Sequence, residues 1–160
     1  RLNYALLVWG FDCSRLEKLQ KRIIRIIHAA SITPHRAIIQ GSRNTKTGDL
    51  FKINVLKFYF KLKHQSLPSY FKSYDLSTQA DIHNYNTRFN TLIPMKVTRT
   101  RTALKCMKNY LSIVVNSTPS QILDKIYTHS FKGFTDYAKC MTIRSYFYDC
   151  NVVNYYVCSR

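Results

Sequence analysis

The sequence predicts a mainly α-helical fold: one small helical domain with a long ordered loop. Hydrophobic residues make up 46% of the 160 residues and include 12 Tyr and 9 Phe, which is too apolar and aromatic for a disordered chain. Only 4 Gly and 4 Pro are present, so there is little material for linkers. Apolar residues recur at helical spacing over two long segments, and one or two short strands are compatible with the remainder. A chain of this length buries roughly two thirds of its unfolded surface, which allows a real core.

The first predicted helix covers CSRLEKLQKRIIRIIHAA, residues 13–30. Ser14 and Glu17 have the spacing of a capping box. Apolar residues recur three and four positions apart, at Leu16, Leu19, Ile23, Ile26 and Ala30. The same spacing groups four basic residues on another face: Lys18, Lys21, Arg22 and Arg25. No acidic residue in this stripe relieves the repulsion among its positive charges. The stripe therefore indicates either a phosphate-binding surface or the solvated face of an ordinary core helix.

The second predicted helix lies in GDLFKINVLKFYFKLKHQSLP, residues 48–68. Its apolar residues cover nearly the whole circumference and leave a narrow polar strip of Asn54, Lys57 and Lys61. Such a helix is packed on most sides, so we expect it to form the core, with Pro68 just beyond its end. Its aromatic run, residues 58–60, is expected to pack in that core instead of stacking on nucleic-acid bases.

Helical periodicity is lost from Asp75 to Thr102, where we predict a long ordered loop with one short strand at VTRTRT, residues 97–102. A loop beyond about 15 residues in a compact domain is usually functional or disordered. Its basic residues can bind phosphate or simply aid solubility: Arg88, Lys96, Arg99 and Arg101.

Two further helices are predicted downstream of the loop. Ser120 is placed to cap a helix in NSTPSQILDKI, and SFKGFTDYAK forms another. The Tyr-rich end, SYFYDCNVVNYYVC, is compatible with a strand pair or a loosely packed tail. We therefore divide the chain into a basic helical domain, residues 1–139, and a Tyr- and Cys-rich tail, residues 140–160.

The charge balance predicts a polyanionic partner. There are 25 Lys and Arg against 8 Asp and Glu, giving a formal charge of +17, and the basic residues are spread along the whole chain. A charge this large opposes compaction by self-repulsion, which RNA, DNA or an anionic membrane surface relieves, and nucleic acid is the first candidate. No apolar run reaches the length of a membrane span and no signal peptide opens the chain, so we expect an intracellular protein with no membrane partner, nuclear or in a cytoplasmic ribonucleoprotein.

Metal binding and catalysis are not indicated. The five cysteines lie at least seven residues apart, whereas paired zinc ligands are usually two to four apart, so reduced thiols are favoured over a site built from Cys140, Cys150, Cys158 and His129. The eight acidic residues are nearly all isolated, which argues against a two-metal polymerase or nuclease centre built from them. No glycine-rich phosphate loop, nucleophile elbow or HExxH motif occurs. We predict no catalytic residue, metal or cofactor.

The segment HNYNTRFN, residues 83–90, combines an imidazole, three carboxamides and a guanidinium. It suggests an active site, a base-reading surface or a hydrogen-bonded turn. No carboxylate or cysteine is placed nearby to make His83 a general base or a metal ligand, so the active-site interpretation is disfavoured. We favour a turn in which Asn84, Asn86 and Thr87 bond the backbone, while Arg88 pairs with an acid such as Asp81 or contacts phosphate.

Six short signatures, in this order, resemble the C-terminal region of non-LTR (LINE-type, jockey-like) retrotransposon polyproteins, downstream of the reverse transcriptase domain. They are YALLVWG at 4–10, LEKLQKRIIRII at 16–27, LPSYF at 67–71, HNYNTRFN at 83–90, VNSTP at 115–119 and SFK at 130–132. The resemblance spans about 130 of the 160 residues. Each motif alone is weakly specific, and the similarity rests on their order and spacing.

The resemblance implies a parent RNA-directed DNA polymerase whose catalytic aspartates lie upstream, with this segment helping to hold template RNA or target DNA. No position here matches that catalytic motif. The family tends to read Trp-Asn-x-Leu-Pro where this chain has Val115 and Thr118 at the Trp and Leu positions, which is compatible with a decayed copy or with a repacked lineage. Two alternatives remain: a structural appendage that packs on the upstream polymerase through Leu6, Leu7, Val8 and Trp9, and an unrelated basic host interaction module.

Overall fold

The computed structural model describes residues 6–27, 45–74, 76–83, 85, 91–95, 97–100, 103 and 106–148, and this part is mainly helical, as the sequence predicts. The helices in chain order are α1 (Leu6–Trp9), α2 (Ser14–Ile27), α3 (Thr47–Lys63), α4 (Gln79–Ile82), α5 (Met107–Ser117), α6 (Ser120–Thr128) and α7 (Phe131–Tyr148). Two 3₁₀ helices lie at Gly10–Asp12 and Ser69–Ser73. None of the described residues is in a strand, and the strand predicted from Val97 is absent at residues 97–100.

Helix α3 is the centre of the core. Helices α1, α2, α5 and α7 all pack against it. The aromatic run that the sequence assigned to packing is buried: Phe58 meets the rings of Phe71 and Tyr74 edge-on, and Phe60 stacks on Phe134 with 5.1 Å between ring centroids. The sequence therefore identified both the core helix and the role of its aromatic residues.

The end of α3 is closed by backbone hydrogen bonds that precede Pro68. The N–H of Ser66 donates to the carbonyl of Lys61 at 3.0 Å, and the N–H of Gln65 donates to that of Leu62 at 3.1 Å. Gln65 has a φ of 50°, the left-handed conformation that this closure requires and that glycine usually supplies. The helix thus ends by a Schellman motif.

The segment before α2 is held by close packing on α3. Leu6 is buried in the core, and a Cβ built on Gly10 would lie 2.5 Å from Cδ2 of Phe51. Only glycine lets the backbone approach that ring so closely. The YALLVWG signature therefore contributes Leu6 to the interior of this domain.

Gln20 ties α2 to the start of α3. Its side-chain Nε2 donates to the carbonyl of Thr45 at 2.9 Å, while its Oε1 accepts from the backbone N–H of Thr47 at 3.2 Å and from the Thr47 hydroxyl at 3.1 Å. Thr47 is the first residue of α3, so Gln20 satisfies an N–H that has no intrahelical acceptor. One amide therefore fixes which side of α2 faces the core.

The capping box expected at the start of α2 is replaced by another arrangement. The carbonyl of Cys13 accepts the first helical hydrogen bond, from the N–H of Glu17, and Ser14 is already helical. The Ser14 hydroxyl donates to Asp12 at 3.4 Å, while the Cys13 thiol donates to the Glu17 carboxylate at 3.8 Å. Burial first, and then the Glu17 charge, raise the pKa of the Cys13 thiol.

The side chain of Asn116, near the end of α5, holds the loop at Ile93. Its Nδ2 donates to the Ile93 carbonyl at 2.9 Å, and its Oδ1 accepts from the Ile93 N–H at 3.0 Å. The amide thus imitates one rung of a β-ladder and positions Ile93, which is buried in the core. Asn116 in the VNSTP signature is explained by this double hydrogen bond.

We expect Asn116→Asp to destabilise the domain by about 1–3 kcal/mol at neutral pH, because a carboxylate keeps the acceptor but cannot donate to the Ile93 carbonyl. The free energy of unfolding from chemical denaturation measures this. The deficit relative to wild type should shrink as the pH falls through the pKa of the new carboxyl group, since its protonated form donates again. Ser117→Ala, which removes an exposed hydroxyl on the same turn, is the control. A deficit independent of pH would contradict the two-bond role.

The C-terminal half packs α6 and α7 against the core. The Ser130 hydroxyl accepts from the N–H of Gly133 at 3.3 Å and caps α7, whereas Ser120, expected to be a cap, is the first residue of α6. Helix α7 continues past residue 139 to Tyr148, and Met141 packs on the core. Residues 145–148 of the Tyr-rich end are therefore helical, and residues 149–160 lie outside the described part.

Candidate nucleic-acid interface

The four basic residues predicted on the first helix all lie on the outer side of α2. Lys18, Lys21, Arg22 and Arg25 are exposed. Among the described residues none of them has a salt-bridge partner. The structure therefore brings together, on one helix face, the larger of the two groups of candidate site residues.

The orientation of this face follows from the contacts of α2 with α3. Gln20 bonds the start of α3 and Ile24 is buried. Counting about 100° per residue, the basic face is centred roughly 130° around the helix from these two positions. The contact with α3 therefore turns the four cations toward solvent.

The apolar stripe of α2 is not buried as its pattern predicts. Leu19 and Ile23 are about half exposed, and Ile26 and Ile27 are 73% and 72% exposed. By the same helical counting, the contact with α3 separates these residues on one side from the basic face on the other. Helix α2 thus presents both a basic face and an exposed apolar stripe to solvent. Ala30, assigned to the same stripe, lies outside the described residues.

The loop candidates are only partly covered by the described residues. Arg99 is exposed, while Arg88, Lys96 and Arg101 lie outside the described part. Before Arg88 the described loop is anchored by α4, where the Asp81 carboxylate accepts from the backbone N–H and hydroxyl of Thr78 at 2.7 and 2.8 Å. Between Arg88 and Lys96 it is anchored at Ile93 by Asn116. That Arg88 and Arg101 form one contact surface with Arg99 stays a prediction.

Within HNYNTRFN, the described residues are His83 and Tyr85. Both are exposed, and their rings stack with 5.3 Å between centroids and an interplanar angle of 27°. No carboxylate or thiol among the described residues forms a metal-binding cluster with His83. The pair contributes an exposed aromatic surface.

Three lysines on α3 and α7 were not among the site residues predicted from the sequence. Lys57 and Lys61 were recognised only as a polar strip on the core helix, and Lys139 was not singled out. Burial is the first cause that lowers the pKa of Lys57, and the charge of Lys139 is the second, so α3 and α7 bring these like charges together. The available signal was the spacing of Lys57 and Lys61, four residues apart on the polar strip of the core helix.

Metal and small-molecule chemistry receives no support from the described ranges. No group of three His, Cys, Asp or Glu in them is placed to hold a metal ion. A cleft of about 310 Å³ between α3, α5 and α7 is lined by apolar and polar side chains in nearly equal number, and Asp49, Lys52 and Arg144 are its charged residues. None of the helices described is both long and apolar enough to cross a bilayer.

Comparisons with known proteins give no relative. No protein-family model, curated protein or solved structure matches the chain. The basis for a functional conclusion is therefore the chemistry of the surfaces described above.

Proposed function

We propose that this chain is a nucleic-acid-binding segment that contacts backbone phosphates and has no catalytic centre of its own. The observation that carries the proposal is the outward basic face of α2, where Lys18, Lys21, Arg22 and Arg25 are exposed without a described salt-bridge partner. The formal charge of +17 supports it, because phosphates relieve the repulsion among these cations. Arg99 adds an exposed cation, and we expect Arg88 and Arg101, which lie outside the described residues, to contact phosphate as well.

The parent protein, in this proposal, is a non-LTR retrotransposon polyprotein, and this segment follows its reverse transcriptase. The order of the six sequence signatures supports this, and the roles of Leu6 and Asn116 give two of them structural reasons. Val115, at the position where the family tends to have Trp, is buried in the core, so its smaller side chain alters packing and not the basic surface. The coding DNA upstream of Arg1 tests the assignment: it should encode a polymerase with paired aspartates.

Binding is tested with the full chain and a fluorescently labelled DNA duplex, by anisotropy across a salt series. If about six phosphates are neutralised, the logarithm of affinity should fall with the logarithm of salt concentration at a slope near −5. Undetectable or salt-insensitive binding contradicts the proposal. The same titration with an RNA duplex and with single strands establishes which nucleic acid is preferred.

The exposed apolar stripe of α2 favours a second candidate function, a structural appendage that packs on the neighbouring polymerase domain. Of its expected anchor residues, Leu6 is buried and Val8 is 72% exposed, and Ile23 and Ile26 on α2 are exposed as well. Ile23→Ser with Ile26→Ser should leave nucleic-acid binding unchanged and weaken only such packing. Loss of nucleic-acid binding in this variant would show that the two faces of α2 act together.

A further inference from the structure

The polar strip of α3 lies beside a polar row of α7. Lys57 and Lys61 are one helical turn apart on α3, which packs along α7. On α7, residues 132, 136 and 139 share one face by helical spacing and supply Lys132, Asp136 and Lys139. We call Lys57, Lys61 and Lys139 the α3–α7 surface. It combines three cations with one neighbouring carboxylate, that of Asp136.

The electrostatics of this surface are unfavourable in the free protein. Burial lowers the pKa of Lys57, and the charges of Lys139 and Lys61 lower it further, while Asp136 acts in the opposite direction. The single carboxylate does not offset the other effects. A bound anion would relieve the repulsion without any rearrangement of the helices.

One of these lysines is held in place by an aromatic ring. Lys61 Nζ lies 5.1 Å from the centroid of the Phe131 ring, and Phe131 in turn packs edge-on against Phe60, which is buried. A cation over an aromatic face is attracted by the negative electrostatic potential of that face. Lys61 is therefore partly ordered before any ligand binds, which lowers the entropic cost of its contact.

We propose that the α3–α7 surface is a second phosphate-binding site, which takes the sugar-phosphate backbone of the nucleic acid. This inference rests on the proposed function, because it assigns further contacts to the same ligand. It adds residues from two helices far apart in sequence to those on α2. Because the proposed contacts go to phosphates, this surface does not distinguish one base sequence from another.

The experiment uses two double variants on one helix. Lys57→Gln with Lys61→Gln removes two charges from the α3–α7 surface. Lys52→Gln with Lys63→Gln removes two charges from roughly the opposite side of α3, by helical counting. Both lower the net charge equally, so non-specific attraction to the DNA falls equally. Each full-length protein is titrated with the labelled duplex across the salt series, and thermal unfolding is followed by circular dichroism.

We expect the Lys57/Lys61 variant to lose about two units of salt slope, roughly one per phosphate contact, and about tenfold in affinity at low salt. The Lys52/Lys63 variant should change the slope by less than about half a unit. The melting temperature of the Lys57/Lys61 variant should change little, because loss of the contact between Lys61 and Phe131 opposes the gain from removing the repulsion with Lys139. Equal binding by the two variants overturns the second site and leaves the proposed function standing, whereas absent binding by the wild type overturns both.

Discussion

Replacing Lys18, Lys21, Arg22 and Arg25 together by Glu is expected to abolish duplex binding at physiological salt. If each cation neutralises one phosphate, the variant loses about four units of the wild-type salt slope, and the four new carboxylates repel the backbone in addition. Binding that remains at low salt should come from other basic surfaces. Anisotropy titrations across a salt series measure both effects.

A charge-preserving exchange on α2 separates electrostatics from side-chain shape. Lys18→Arg, Lys21→Arg, Arg22→Lys and Arg25→Lys together keep four cations on the same face. This variant should retain the wild-type salt slope, since the proposed contacts go to phosphates. Both variants should keep the helical circular dichroism of the wild type, because all four side chains are exposed and both replacement types favour helices. Wild-type binding by the charge-reversed protein would contradict the role of α2.

Phe134→Ala is expected to destabilise the domain by about 3–5 kcal/mol, a large part of the stability of a typical domain. Phe134 is fully buried and stacks on Phe60, the residue at which α3 and α7 meet. Truncation leaves a cavity between these two helices that neither side can fill without moving. Chemical denaturation gives the free energy of unfolding.

Phe131→Ala on the same helix is the matched comparison. Phe131 also contacts Phe60 but is 39% exposed, so its truncation opens to solvent instead of leaving a closed cavity, and we expect a loss of about 1–2 kcal/mol. Similar losses for the two variants would contradict a core centred on the contact between α3 and α7. The Phe131 variant should also weaken nucleic-acid binding slightly, since it releases Lys61.

The helical fold and the core helix were predictable because they follow from local patterns. Apolar residues around most of the circumference of α3 require burial wherever the helix lies, and Phe58, Tyr59 and Phe60 are buried as expected. The basic stripe of α2 was also readable, since residues three and four apart share a face in any helix. Which apolar residues of α2 are buried was not predictable from the pattern. Gln20 bonds α3 and Ile24 is buried, whereas the predicted stripe of Leu19, Ile23 and Ile26 is exposed.

The tertiary structure alone decided the contacts that join distant segments. The sequence does not indicate that the Asn116 amide bonds the backbone of Ile93. Nor does it indicate that the charge of Lys139 acts on Lys57 across α3 and α7. Spacing along a helix determines which side chains share a face, so the faces of each helix follow from the sequence alone. Which face turns to solvent and which charges meet across helices depend on how α2 and α7 pack on α3, and no local pattern encodes that packing.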